Sequence, residues 1–244
     1  MEELKDNVLD WSEMLENYIN IINNETQLED EINILKSEFL ESKKPSLKEP
    51  IVYFLEDELL NIPKDFSRIS FDKLLAEPHV AKRSLLEHLP IQRHPIPYVL
   101  VRYIEKGIPF YFFLFREKGS TETRLVGRKG LPGGHVDGAD IVIDSNSNVL
   151  LKETIEIGLY RELLEEVGIS KEGVKNIELV GFIKETDEKS VGADHLGLIY
   201  IVDVYSKNYK SMEDGIISGA WLKKDDINPS ELESWAKLIY ENLL

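Results

Sequence analysis

The sequence contains no cysteine, only three methionines and three tryptophans, and fewer basic residues than acidic ones. Without cysteine there is no disulfide framework, no thiolate metal site and no cysteine nucleophile. Long apolar runs are also missing. Phe110 to Phe115 and Leu196 to Val202 are the longest, far short of the ~18 residues a membrane-spanning helix requires. The opening Met1-Glu2-Glu3 carries the wrong charge for a secretory or mitochondrial presequence. A soluble, cytoplasmic protein is the expectation. Basic charge is scarce in total, with 29 Lys+Arg against 45 Asp+Glu and a formal net charge of -16. Binding to a nucleic-acid backbone is dominated by Lys and Arg neutralising phosphates, so a nucleic-acid polymer is a poor partner. A small phosphorylated substrate is not excluded, because a metal ion can bridge acid to acid.

What is present is a chain of 244 residues, long enough for one large domain or two modest ones. Hydrophobic residues at 42% and charged residues at 30% describe a folded chain rather than a disordered one. The acid is unevenly spread, since residues 1–60 hold sixteen acidic and five basic side chains. Leu4, Val8, Trp11, Leu15, Tyr18 and Ile22 form one helical stripe, and Leu28, Ile32, Leu35 and Phe39 a second. Between them, Thr26-Gln-Leu-Glu29 is a capping-box pattern. An N-terminal helical hairpin over residues 1–45 is expected, able to pack on the rest of the chain or to form a homodimer. Short helical patterns near 51–61, 70–76 and 80–89 then predict a helical connecting region over 46–89.

From the Pro-rich stretch Pro90–Pro97 onward the texture changes, and a second domain is expected over 90–244. Tyr98–Ile104 and Phe110–Arg116 read as strands joined by a turn at Glu105-Lys106-Gly107, with further strands at Ile177–Lys184, Gly197–Tyr205 and Gly219–Lys223. Thr154–Val167 is rich in helix formers and stops at Gly168, and a terminal helix is expected to start at Pro229. Mixed strands with two helices predict an α/β or α+β sandwich.

The densest chemical signal is Arg161-Glu-Leu-Leu-Glu-Glu-Val-Gly-Ile169. At ~100° per residue, Glu162 and Glu166 stack one turn apart with Glu165 beside them. Three carboxylates on one face repel each other unless a cation sits among them. Oxygen ligands with no Cys or His in the cluster favour Mg²⁺ or Mn²⁺ over zinc. Upstream, Leu131-Pro-Gly-Gly-His-Val-Asp-Gly-Ala-Asp140 can form a tight loop whose backbone approaches a metal or phosphate closely.

These two segments together resemble the Nudix (MutT-like) hydrolases, whose signature is G-x5-E-x7-REUxEExGU, U being a bulky aliphatic. Arg161–Ile169 matches the second half at every defined position, and Glu153 stands eight residues before Arg161, where the signature has its first Glu. The first half departs in spacing. Gly-x5-acid occurs as Gly134 to Asp140, so Ile141–Lys152 reads as an insertion, a small hairpin around Ser145–Asn148. The first acid is thus Asp140 or Glu153, and the spacing to Arg161 favours Glu153. The Gly-Gly-His loop, the insertion and Asp194-His195-Leu-Gly-Leu198 further resemble the branch labelled predicted MutT-type phosphoesterases.

The resemblance implies an α/β/α sandwich with a mixed sheet, and water attack on phosphorus in a diphosphate linkage, typically of a nucleoside diphosphate derivative. It implies divalent metal held by Glu153, Glu162, Glu165 and Glu166, with close backbone from Gly133 and Gly134, and Arg161 orienting a carboxylate. Glu166 or Glu165 is the first candidate for general base and Glu185 the second. Among the basic residues Arg116, Lys118, Arg124, Arg128 and Lys129, Arg116 and Arg128 are the better candidates for substrate phosphate. His135 and His195 could hydrogen-bond phosphate or water, or have ordinary structural roles. A binding module without turnover is the competing reading, which the three glutamates argue against. An isomerase of this fold leans on a cysteine acid, which this chain lacks.

Overall fold

A computed structural model describes residues 50–82, 92–116, 127–185, 192–212 and 216–244. The expected helical hairpin over 1–45, with either its packing on the chain or its homodimer, lies outside the described residues. Within them is a mixed nine-stranded sheet with one α-helix on each face. No helix among the described residues is long and apolar enough to cross a membrane.

The spine is a long strand, Gln92–Glu105 (β4), that incorporates Pro95 and Pro97. Lys106 and Gly107, both at positive φ, turn it into Ile108–Arg116 (β5). Two consecutive positive-φ residues give the turn a twist that matches that of the flanking strands. β5 pairs antiparallel with Lys129–Gly130 (β6) and with Ile216–Leu222 (β9). On its other edge β4 runs parallel to His195–Val204 (β8), which pairs with Val174–Lys184 (β7).

Within residues 50–82 the remaining strands correct the expectation of helices near 51–61 and 70–76, while residues 83–89 of the third helical pattern lie outside the described residues. Pro50–Leu55 (β1) pairs with β4 and with His79–Lys82 (β3), and Asp65–Ser67 (β2) pairs with β7. Only single 3-10 turns stand at Glu56–Leu59 and Phe71–Lys73. Ile51 to Phe54 is an unbroken run of apolar residues, all at most 1% exposed. Such a run carries no periodicity to separate strand from buried helix; its β-branched and aromatic residues are the better guide. These strands belong to the same sheet as those that follow residue 90.

Strand alternation divides the core into two layers. Val99, Val101, Phe112, Leu114, Leu198 and Tyr200 face the helix Leu151–Val167 (α1), while Leu100, Tyr111, Phe113 and Ile199 face Ser234–Leu243 (α2). Ile155, Leu159, Leu163 and Val167 recur every fourth residue along α1 and are all at most 1% exposed. Burial of each contributes about 2 kcal/mol. Gly168 ends α1 in the left-handed conformation at φ +70°, with Ile169 N–H donating to the Leu163 carbonyl at 3.0 Å. The expected terminal helix starts later than Pro229. Asn228 caps a 3-10 turn at Pro229–Glu231, and α2 begins only at Ser234.

Candidate active site

Backbone pairing with the spine places the glycine loop. Val99 N–H donates to the Pro132 carbonyl at 2.8 Å, and Gly133 bridges Tyr98. A Cβ on Gly133 would overlap the Pro97 carbonyl, so this approach requires glycine. The far end of the loop rests on β1, where Val52 N–H donates to the Val136 carbonyl at 3.0 Å.

Across from the loop, α1 presents its carboxylates. Glu166 is 7% exposed, and its Oε2 accepts the Gly133 N–H at 2.7 Å. The Glu162 carboxylate fills the space that a Cβ on Gly134 would occupy. Glu165 is the exposed member, 3.2 Å from Arg161 Nη1. The spacing on the helix thus brings Glu162 and Glu166 onto two successive glycines of the loop.

Arg161 ties the site together. Nε and Nη2 reach Asp140 Oδ1 and Oδ2 at 2.9 and 2.8 Å, Nη1 reaches Glu162 Oε1 at 2.7 Å, and Nη2 also donates to the His135 carbonyl at 2.8 Å. Asp137 Oδ2 lies 3.6 Å from Nη2. Burial disfavours the Arg161 charge, but the hydrogen bonds to Asp140 and the charges of Asp140, Glu162 and Asp137 outweigh it and raise its pKa. Burial pushes the Glu162 carboxyl up despite Arg161, and it pushes Asp137 up with help from the Asp140 charge. One guanidinium is therefore shared by four carboxylates, with Glu166 next to them. Like charges ~4 Å apart repel by about 4 kcal/mol at a near-surface effective dielectric. Such a surplus favours a divalent cation.

The acid that meets Arg161 is Asp140, not Glu153. Asp140 is 1% exposed, and its Oδ2 also accepts the Asp137 N–H at 3.0 Å in a capping box. Glu153 is exposed in the first turn of α1. Nine residues before Glu162 at ~100° each put it half a turn round, on the opposite side of the helix. The inserted hairpin follows Asp140 and closes on itself, with Asp144 N–H donating to the Asn148 carbonyl at 2.9 Å and Leu150 N–H to the Val142 carbonyl at 2.7 Å. It returns the chain to α1 without separating Asp140 from Arg161.

The other expected site residues are placed more widely. Arg116 ends β5 opposite Ile216. Arg128 is exposed and donates from Nη1 to the Ser230 carbonyl at 2.6 Å, and Lys129 pairs with Glu231. Lys118 and Arg124 lie outside the described residues. Glu185 follows β7; its carbonyl accepts from Arg93 at 2.7 Å, and its carboxylate and the Trp235 indole both flank Gly192. Tyr111, Phe112, Phe113 and Tyr200 are core residues, none more than 8% exposed. His135 Nε2 lies 3.2 Å from His195 Nε2, and His94, which sequence reasoning passed over, packs against both. Only the β4–β8 register, in which His94 is aligned with His195, reveals that neighbour.

The NUDIX domain family model matches residues 99–243. Among solved structures, Tm1382, described as a candidate Nudix hydrolase, superposes with a TM-score of 0.61 at 20% identity, covering 80% of this chain and 98% of its own. A MutT Nudix hydrolase from Burkholderia pseudomallei, at 19% identity and TM-score 0.43, covers 62% of this chain and 100% of its own. The M. smegmatis Nudix hydrolase RenU gives 17% identity and TM-score 0.42, covering 62% and 83%. No curated protein matches the sequence. The family match spans more than half of the chain and contains both the glycine loop and the glutamate helix, so the chain belongs to the Nudix family.

Proposed function

We propose that the protein is a divalent-metal-dependent hydrolase. It cleaves a diphosphate linkage in a nucleoside diphosphate derivative, or a related small phosphorylated metabolite, by water attack at phosphorus. The observation that carries this reading is the seating of Glu162 and Glu166 on Gly133 and Gly134, with four carboxylates around the single Arg161. The donor set fits a hard cation, being all oxygen, over-charged for its one arginine, and set against a loop whose glycines leave room for close approach. Glu162, Glu165 and Glu166, with backbone from Gly133 and Gly134, would hold Mg²⁺ or Mn²⁺. Bound there, such an ion supplies charge neutralisation on the diphosphate oxygens and makes the attacking water more acidic.

The chain's own groups do the rest. The Gly133 N–H fixes the Glu166 carboxylate, and Arg161 and Asp140 fix the helix against the loop, which is the positioning that dominates phosphoryl transfer. Glu166 or Glu165 accepts the proton of the attacking water, with Glu185 the second candidate. Arg116, Arg128 and His135 contribute positive or donor groups toward substrate phosphate. The amphipathic stripes within residues 4–39 support a homodimer, which a solution mass of a single chain would overturn.

The test is a panel of nucleoside and sugar diphosphates with Mg²⁺ or Mn²⁺, run beside Glu166→Gln and a chelator-treated sample. Turnover should fall at least ~100-fold in the variant, which keeps an acceptor for Gly133 N–H but loses the charge. Binding without turnover of any diphosphate would instead establish a binding module.

A further inference from the structure

We propose that His94, His135 and His195 form a second metal site, built for a borderline cation of the zinc type and distinct from the carboxylate site on α1. The chain has five histidines, and three of them converge from segments far apart in sequence. One ligand nitrogen from each lies within 4.8 Å of the other two. The ring centroids are 5.1 to 5.6 Å apart.

The spacing has the scale of a coordination sphere. Imidazole nitrogens at 2.0–2.1 Å from a tetrahedral zinc stand about 3.3 Å from each other. His135 Nε2 and His195 Nε2 are 3.2 Å apart, so that edge is already close to this value. His94 closes the set by moving in by up to about 1.5 Å, within reach of a side-chain rotation. The backbones of two ligands are held in place. His94 N–H donates to the Asp194 carbonyl at 2.9 Å, and the His195 carbonyl accepts from Arg93 Nη1 at 3.2 Å. The third, His135, is held through its carbonyl by Arg161.

Chemistry separates the two sites. Three neutral imidazoles with no carboxylate among them select zinc-like ions over Mg²⁺, which requires hard oxygen ligands. A three-histidine set leaves a fourth position for water or a ligand oxygen. Both sites rest on one loop, His135 being two residues beyond the Gly133 amide that holds Glu166.

The experiment reads metal binding and not hydrolysis, so it is independent of the activity proposed above. Metal-free full-length protein in excess Mg²⁺ is titrated with Zn²⁺ against a chromophoric chelator, and separately with Co²⁺ followed by visible absorption. One Zn²⁺ per chain at sub-micromolar affinity is expected, with the intense Co²⁺ bands of a four-coordinate nitrogen site. His135→Gln and His195→Gln should each weaken Zn²⁺ binding at least ~100-fold, more than loss of an outer-shell partner does. Glu166→Gln should leave it intact. Melting of each variant without metal, compared with the parent, identifies any that fails to fold. His135, on a loop and only partly buried, is the variant expected to fold regardless. Absence of Zn²⁺ binding at micromolar concentration overturns the proposal, as does binding that is unchanged in folded His135→Gln or lost in Glu166→Gln.

Discussion

Asp140 sets both carboxylate oxygens on the Arg161 guanidinium, at 2.9 and 2.8 Å, although a hairpin and nearly three turns of helix separate them in sequence. The pair is nearly out of solvent on the Asp140 side, at 1% exposure. It joins the loop that carries Gly133 and Gly134 to the helix that carries the glutamates.

Breaking that pair leaves a guanidinium partly buried without its main partner. Asp140→Ala should destabilise the fold by about 3–5 kcal/mol, whereas exposed Glu153→Gln should stay within about 0.5 kcal/mol of the parent. Urea midpoints of the two variants measure the difference. Equal effects would remove Asp140 from its place as the acid of Arg161.

Gly158 tests the same contact from the helix side. Glycine inside a helix ordinarily costs about 1 kcal/mol relative to alanine, so Gly158→Ala should stabilise if only propensity counts. A Cβ there would stand 3.0 Å from Asp140 Oδ2, an oxygen already held by Arg161 and by the Asp137 N–H. The expected result is a lower melting temperature than the parent, and a rise would show that Asp140 has room to give.

The two loop glycines should separate stability from activity. A Cβ at position 133 meets the Pro97 backbone carbonyl, while one at 134 meets the Glu162 side chain. Gly133→Ala is therefore expected to lower the melting temperature, because a strand must shift. Gly134→Ala should fold with a smaller loss and reduce diphosphate turnover by displacing Glu162. The paired melts and rates check this, and a Gly134→Ala enzyme with full turnover would count against Glu162 in the reaction.

The hairpin after Asp140 carries a pH signature. Hydrogen bonds from the Asn148 side chain and N–H, and from the Asn146 N–H, hold the Asp144 carboxyl below its ordinary range. For a depressed acid the stabilisation is present above the unfolded value of about 3.9 and disappears as pH falls through the folded one. Asp144→Ala should melt below the parent at pH 7, with the gap narrowing below pH ~4. A gap independent of pH would assign it to lost packing instead.

Features that depend on neighbours along the chain were legible from the order of residues alone. The four-residue recurrence of Ile155, Leu159, Leu163 and Val167, ended by Gly168, specifies a helix and its stop, and the same period stacks Glu162 on Glu166. The Lys106-Gly107 turn and the hairpin around Ser145–Asn148 are local in the same way. Pairing decided the rest. Whether Ile51–Phe54 is strand or helix depended on the free edges of β4 and β3. The acid for Arg161 came from across an insertion that linear spacing cannot discount, and His94 met His135 and His195 only through the parallel register of β4 and β8. Periodicity along a chain records which face is buried; what that face meets is decided by closure of distant segments onto one sheet.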